Sequence, residues 1–158
     1  ATTPDDHAIV GEALDRIGSG TDEDVRIGLH VCYGDYSRIY PELNDYPVDE
    51  VDLELCNGNY EQIDVFTEPD FVPDLALGVV DVHTAEVESV EEIKENIKQG
   101  LKVVPPERLT ISPDCGVKLL PRDVAYGKME NMVEATRQVE AELDSGEIDL
   151  EEPVPTAD

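Results

Sequence analysis

Residues 75–83 read Leu-Ala-Leu-Gly-Val-Val-Asp-Val-His, an apolar run that closes on a histidine. A run of this length, built from Leu and Val, suits a strand buried on both faces of a parallel sheet. Three other runs have the same form. The run at 25–31 leads to Cys32, that at 51–55 holds Glu54, and that at 109–111 enters Ser-Pro-Asp-Cys-Gly at 112–116. Helical patterns stand beside them. Residues 88–100 carry Val90, Ile93 and Ile97 at helical spacing, with Ser89 as a cap and Gly100 as a stop. Residues 124–143 keep a similar spacing through Met129, Met132, Val133, Val139 and Leu143. A further helix at 7–17 precedes the first run. The links at 37–43 and 60–66 are less regular and read as short helices or turns.

The order is therefore a helix followed by four strand–helix units, which implies an α/β fold with a parallel sheet and right-handed crossovers. Both an open doubly wound sheet and half of an eight-stranded barrel have this order. No glycine-rich phosphate loop follows any strand, so the nucleotide-binding form of the open sheet lacks support. Residues 1–143 make up this domain. Residues 144–158 form an acidic, proline-containing tail expected to be disordered.

The chain has 158 residues, enough for one domain with its own core. Its 38 acidic residues outweigh 11 basic ones, a net charge of −27 that repels phosphate backbones and argues against nucleic acid as a partner. The excess runs along the whole chain, as in proteins of salt-in halophiles, where molar salt shortens the Debye length to about 3 Å. No apolar stretch is long enough to span a membrane and no secretory signal is present, so a soluble, cytoplasmic protein is expected. The first residue is Ala1, as expected of a processed chain or a piece of a longer one. Three cysteines, an odd number, suit a reducing compartment and metal or reactive roles.

The metal-capable residues sit where α/β folds build their sites. His30 and Cys32 close the first strand, and a spacing of two puts both on one face. Glu54 closes the second strand, His83 the third, and Cys115 follows the fourth. All lie at carboxyl ends of strands. Zinc accepts thiolate, imidazole and carboxylate ligands, and His30, Cys32, Glu54 and Cys115 offer that mix. Three negative charges around a divalent ion keep a bound thiol nucleophilic, which suits alkyl transfer to sulfur better than water activation. Buried cysteines with a satisfied histidine would give the same spacing. Cys56 reads as a small core residue, and Tyr33, Tyr36 and Tyr40 as packing or surface aromatics.

Four motifs together resemble one family. His-Val-Cys-Tyr-Gly at 30–34, the glutamate of Asp-Leu-Glu-Leu at 52–55, Gly-Val-Val-Asp-Val-His at 78–83 and Ser-Pro-Asp-Cys-Gly-Val-Lys at 112–118 are similar to the last third of the cobalamin-independent methionine synthases. The resemblance runs from about residue 25 to residue 137, and with the acidic surface it points to an archaeal, haloarchaeal-like member. It implies a (β/α)8 barrel of the TIM type, of which these strands are the second half. It implies methyl transfer from 5-methyltetrahydrofolate to homocysteine, with His30, Cys32, Glu54 and Cys115 as zinc ligands. His83 corresponds to the general acid and base. Asp81 either orients that imidazole or has a structural role. The family's remaining homocysteine and folate contacts lie upstream, so an upstream half of the barrel is an expected partner. Two other readings stand beside this one: a thiol methyltransferase with a methylcorrinoid donor, and a non-catalytic zinc-binding module.

Overall fold

The computed structural model describes residues 3–22, 24–32, 34–67 and 71–148. Thr3 opens helix α1 (Pro4–Gly18), where its hydroxyl accepts from the Asp6 amide and the Asp6 carboxylate accepts from the Thr3 amide. Proline suits the first helical position because the amide it lacks would have no partner there. Val10 and Leu14 turn toward the core, and His7 Nδ1 lies 2.7 Å from the Tyr46 hydroxyl.

Four strands follow: β1 (Gly28–Val31), β2 (Glu50–Leu53), β3 (Asp74–Gly78) and β4 (Leu109–Ser112). Every pairing is parallel and the spatial order is β1-β2-β3-β4. A doubly wound sheet reverses its order at a switch point. This one does not, and a sequential order is that of half a (β/α)8 barrel. Strands β1, β2 and β3 are shorter than the apolar runs that announce them, while β4 extends its run by one residue. Before β1, the Ile27 amide donates to the Asp49 carboxylate at 2.7 Å instead of joining a ladder. Beyond Gly78 the buried Val79 and Val80 bond to the chain around Asp114, through Val79 N to Ser112 O and Asp114 N to Val80 O.

Burial on both faces, expected from the apolar runs, does not hold for the sheet as a whole. Val51, Leu53, Leu75 and Leu77 are fully buried on one face. Glu50, Asp52 and Asp74 alternate with them on the other and are only partly covered. The face that a barrel turns inward is thus polar in this chain.

Helix α2 (Val90–Gly100) and helix α3 (Arg122–Ser145) pack against each other and bury Ile93, Ile97, Ala135 and Val139 in the core shared with the apolar face. The Ser89 hydroxyl accepts from Glu92 N, and the Glu92 carboxylate takes the Ser89 amide, so the expected cap is present as a full capping box. Lys128, fully buried on α3, donates to both Glu88 carboxylate oxygens at 2.8 and 2.9 Å and to the Glu86 carbonyl. Helix α3 runs two residues past the boundary expected at 143, because Gly146 at φ +74° supplies a left-handed cap. Ile148 still packs on the core. Residues 149–158 of the expected tail lie outside the described residues.

Among the described residues, no α-helix follows β1 or β2. The connections use 3-10 turns at Tyr36–Arg38, Glu42–Asp45, Cys56–Gly58 and Ile63–Thr67. Aromatic side chains do the covering there: Tyr36, Tyr40, Phe66 and Phe71 are buried, with ring centroids 5.1 to 6.2 Å apart. Tyr36 and Tyr40 are packing residues, while Tyr33 lies outside the described residues. No helix among the described residues is long and apolar enough to cross a membrane.

Candidate metal centre

Parallel pairing brings all four strand ends to one edge of the sheet, and the metal-capable side chains gather there. His30 lies within β1, Cys32 follows its last residue, Glu54 follows β2, and Cys115 stands just beyond β4. One donor atom from each of these four side chains lies within 4.8 Å of the others. Glu54 is buried at 3% exposure, Cys115 is half-buried, and His30 and Cys32 are exposed, so the cluster has a closed floor and an open side.

Asp114 ties two of the contributing segments together. Its Oδ1 accepts from the amides of Leu55 and Cys56 at 3.1 and 2.9 Å, and its Oδ2 accepts from Asn57 N at 2.8 Å. The residue before Cys115 therefore grips the backbone directly after Glu54. Burial pushes the Asp114 carboxyl up to about 6, against the lowering pull of the Cys56 and Asn57 amides and with help from the charges of Glu54 and Asp81. The Tyr36 hydroxyl donates to the Glu54 carbonyl at 2.8 Å, and Asn57 Nδ2 donates to Glu54 Oε1 at 2.9 Å. Glu54 is thus fixed through both its backbone and its side chain.

His83 stands beside the cluster without belonging to it. Its Nε2 lies 2.7 Å from Glu54 Oε1, while 60% of its side chain is open to solvent. The hydrogen bond to Glu54 raises its pKa; partial burial opposes this, and the charges of Glu54, Asp81 and Asp114 add to it. Asp81 does not hold the ring. Its Oδ1 accepts from the His83 backbone amide at 2.7 Å, and its own amide donates to Glu88 Oε1. Of the two roles open to Asp81 from sequence, the structural one is what the contacts give.

The Cys32 thiol is pushed up first by desolvation, then by the hydrogen bond with Cys115 and by the charges of Cys115, Glu54 and Asp52. Crowded anionic donors of this kind are relieved by a cation. Two thiols, an imidazole and a carboxylate match the ligand types of zinc. A tetrahedron with zinc's usual bond lengths has edges of about 3.4–3.8 Å. Donor atoms already within 4.8 Å need only small side-chain adjustments to reach it, so the residues present fit such an ion. Cys56 lies outside the cluster. It packs on the core, accepts from Asn96 Nδ2 at 3.6 Å, and is pushed up by burial to about 12.

Three relationships had no signal in the spacing of residues. They are the Asp114 grip, the Glu54–His83 bond, and a chain in which Ser112 Oγ donates to Asp52 Oδ1 at 2.8 Å while Asp52 Oδ2 faces His30 Nδ1 at 2.7 Å. Each joins residues far apart in sequence.

Comparison with known proteins agrees with this architecture. Residues 3–138 match the family model described as the catalytic domain of cobalamin-independent synthase. A methionine synthase of Saccharolobus solfataricus is 42% identical over 118 residues, covering 75% of this chain and 36% of that protein. A methionine synthase of Thermococcus kodakarensis is 41% identical over 140 residues, covering 89% of this chain and 41% of its own length. The chain therefore spans well under half the length of these curated relatives. Among solved structures, a B12-independent methionine synthase from a Shewanella species, in complex with selenomethionine, superposes with a TM-score of 0.73 at 23% identity. That match covers 85% of this chain and 43% of the other.

Proposed function

Because this chain belongs to the family of cobalamin-independent synthase catalytic domains, we propose that it carries the metal site of a homocysteine methyltransferase. The methyl donor is 5-methyltetrahydrofolate or a related folate, and the product is methionine. His30, Cys32, Glu54 and Cys115 hold a zinc ion, and His83 manages protons beside it. The observation that carries this reading is the meeting of four donor atoms within 4.8 Å, with His83 bonded to one of the four side chains.

When bound, zinc in a donor set of three negative charges holds a thiol as thiolate yet leaves it electron-rich enough to attack a methyl group. The chain's own residues do the rest. Asn57 and the backbone grip of Asp114 keep Glu54 in place. His83 is held by the bond that its Nε2 donates to Glu54, which leaves Nδ1 as the atom at which a proton is held or released as the donor departs. The open side of the cluster, at His30 and Cys32, faces the upstream part of the catalytic domain, which supplies the remaining homocysteine and folate contacts. Three free cysteines suit a cytoplasmic location.

The test is an assay of the complete catalytic domain with homocysteine and methyltetrahydrofolate. Methionine should form, formation should stop on zinc chelation, and it should return when zinc is restored. Activity indifferent to chelation, or activity seen only with a methylcorrinoid donor, overturns the reading.

A further inference from the structure

The polar face of the sheet leads behind the metal cluster. His30, Asp52 and Ala76 are register partners on β1, β2 and β3, and Gly78 is the register partner of Ser112 on β4. Beside Asp52 on this face, β3 presents Ala76, whose side chain is a single methyl group. Over that low ground Asp52 reaches Ser112 on the far strand, with Ser112 Oγ donating to Asp52 Oδ1 at 2.8 Å. The other oxygen of Asp52 lies 2.7 Å from His30 Nδ1. Both carboxylate oxygens are engaged, each by a residue on a different strand.

We propose that Asp52, held in place by Ser112, is a positioning residue that keeps the proton of His30 on Nδ1 and leaves Nε2 as the nitrogen offered to the metal. An ionised carboxylate only accepts, so the imidazole nitrogen facing it must be the donor. The other nitrogen is then unprotonated and available as a ligand. Fixing the tautomer and the ring plane before the ion arrives removes two motions that binding would otherwise have to arrest. Ser112 serves the arrangement from behind, since its hydroxyl stops the Asp52 carboxylate from rotating. The proposal rests on His30 being a metal ligand, as proposed above, and assigns the residues that prepare it.

The first experiment reads the tautomer without metal. Long-range proton–nitrogen correlation spectra of the metal-free chain, labelled at histidine, should show His30 protonated at Nδ1 at a pH well above the ordinary histidine value of about 6.5. His7 and His83 are assigned by single substitution. Asp52→Asn should keep that tautomer, because its amide oxygen still accepts, whereas Asp52→Ala should lose it. The second experiment reads zinc affinity by competition with a chelator. Asp52→Ala should weaken binding about 10- to 100-fold, with the saturating zinc content unchanged, and Ser112→Ala should weaken it less. Asp52→Asn should fall between wild type and Asp52→Ala. If Asp52→Ala does not fold, Ser112→Ala and Asp52→Asn still carry the comparison. His30 protonated at Nε2 in the wild-type chain, or equal zinc affinity in wild type and the Asp52 variants, overturns the proposal. A wild-type chain that binds no zinc overturns the metal reading itself, and the proposal falls with it.

Discussion

Asp114 occupies the space in which a side chain on Gly78 would begin. A Cβ built on Gly78 stands 2.7 Å from Asp114 Cα and nearer still to its Oδ1. Strand β3 thus reserves a gap for the one carboxylate that bonds the amides of Leu55, Cys56 and Asn57. Gly78→Ala should therefore destabilise the fold by about 3 kcal/mol, the upper end of overpacking costs. Asp114→Asn keeps the shape but sets an NH2 group against a backbone amide, and should cost about 1–3 kcal/mol. Urea unfolding measures both. A wild-type midpoint for either variant would contradict the fit.

Zinc content and turnover should separate by residue. Cys32→Ser and Cys115→Ser in the complete domain should lower both the zinc bound after dialysis and the rate. His83→Ala should keep its zinc and lose about 10²–10⁴-fold in turnover, the usual range for general acid–base catalysis. Loss of zinc from the His83 variant would place that residue among the ligands.

Lys128 is fully buried and its charge is answered by Glu88. Glu88 also accepts the amide of Asp81, so one carboxylate joins α3 to the loop that carries His83. Glu88→Ala leaves the ammonium uncompensated and should cost about 3–5 kcal/mol. Replacing both partners, as Lys128→Met with Glu88→Leu, should recover part of that loss. A single variant as stable as wild type would show that the pair contributes nothing.

Stability should climb with salt into the molar range, because a net charge of −27 leaves strong self-repulsion at low ionic strength. Melting temperatures in low and molar potassium chloride provide the check. Equal values would remove the expectation of adaptation to salt.

Residues 1–158 by themselves should take up zinc and form no methionine. Among the described residues, β1 and β4 each have a neighbour on one side only, and such edges favour a partner over isolation. Methionine should appear when the rest of the catalytic domain is supplied. Rapid methionine formation by this chain alone would overturn the prediction.

Much of the fold can be read from particular residues. Ser89 with Glu92 announces α2, and the apolar runs around Val51, Leu75 and Leu109 announce their strands. The connections after β1 and β2 resist such reading. Their buried side chains, Tyr36, Leu43, Ile63 and Phe66, have no helical period, because each turn is too short to repeat. The site shows the same division. His30, Cys32, Glu54 and Cys115 stand out because strand ends are where parallel sheets collect chemistry. Asp52 and Asp114 do not stand out in a chain with 38 acidic residues. What distinguishes them is the partner each finds across the sheet, and no local pattern encodes that.

The pairing of the strands also sets a condition on what the cluster can report. His30 pairs in register with Asp52, and Glu54 comes directly after the strand that carries Asp52. A slip of one residue between neighbouring strands would turn a whole set of side chains to the opposite face. His30 would then point among the core leucines, away from Glu54 and Cys115. Only a correctly assembled chain presents all four donors together. Uptake of the ion would thus serve as an inspection of the fold, rejecting misassembled molecules that a measure of secondary structure alone would pass.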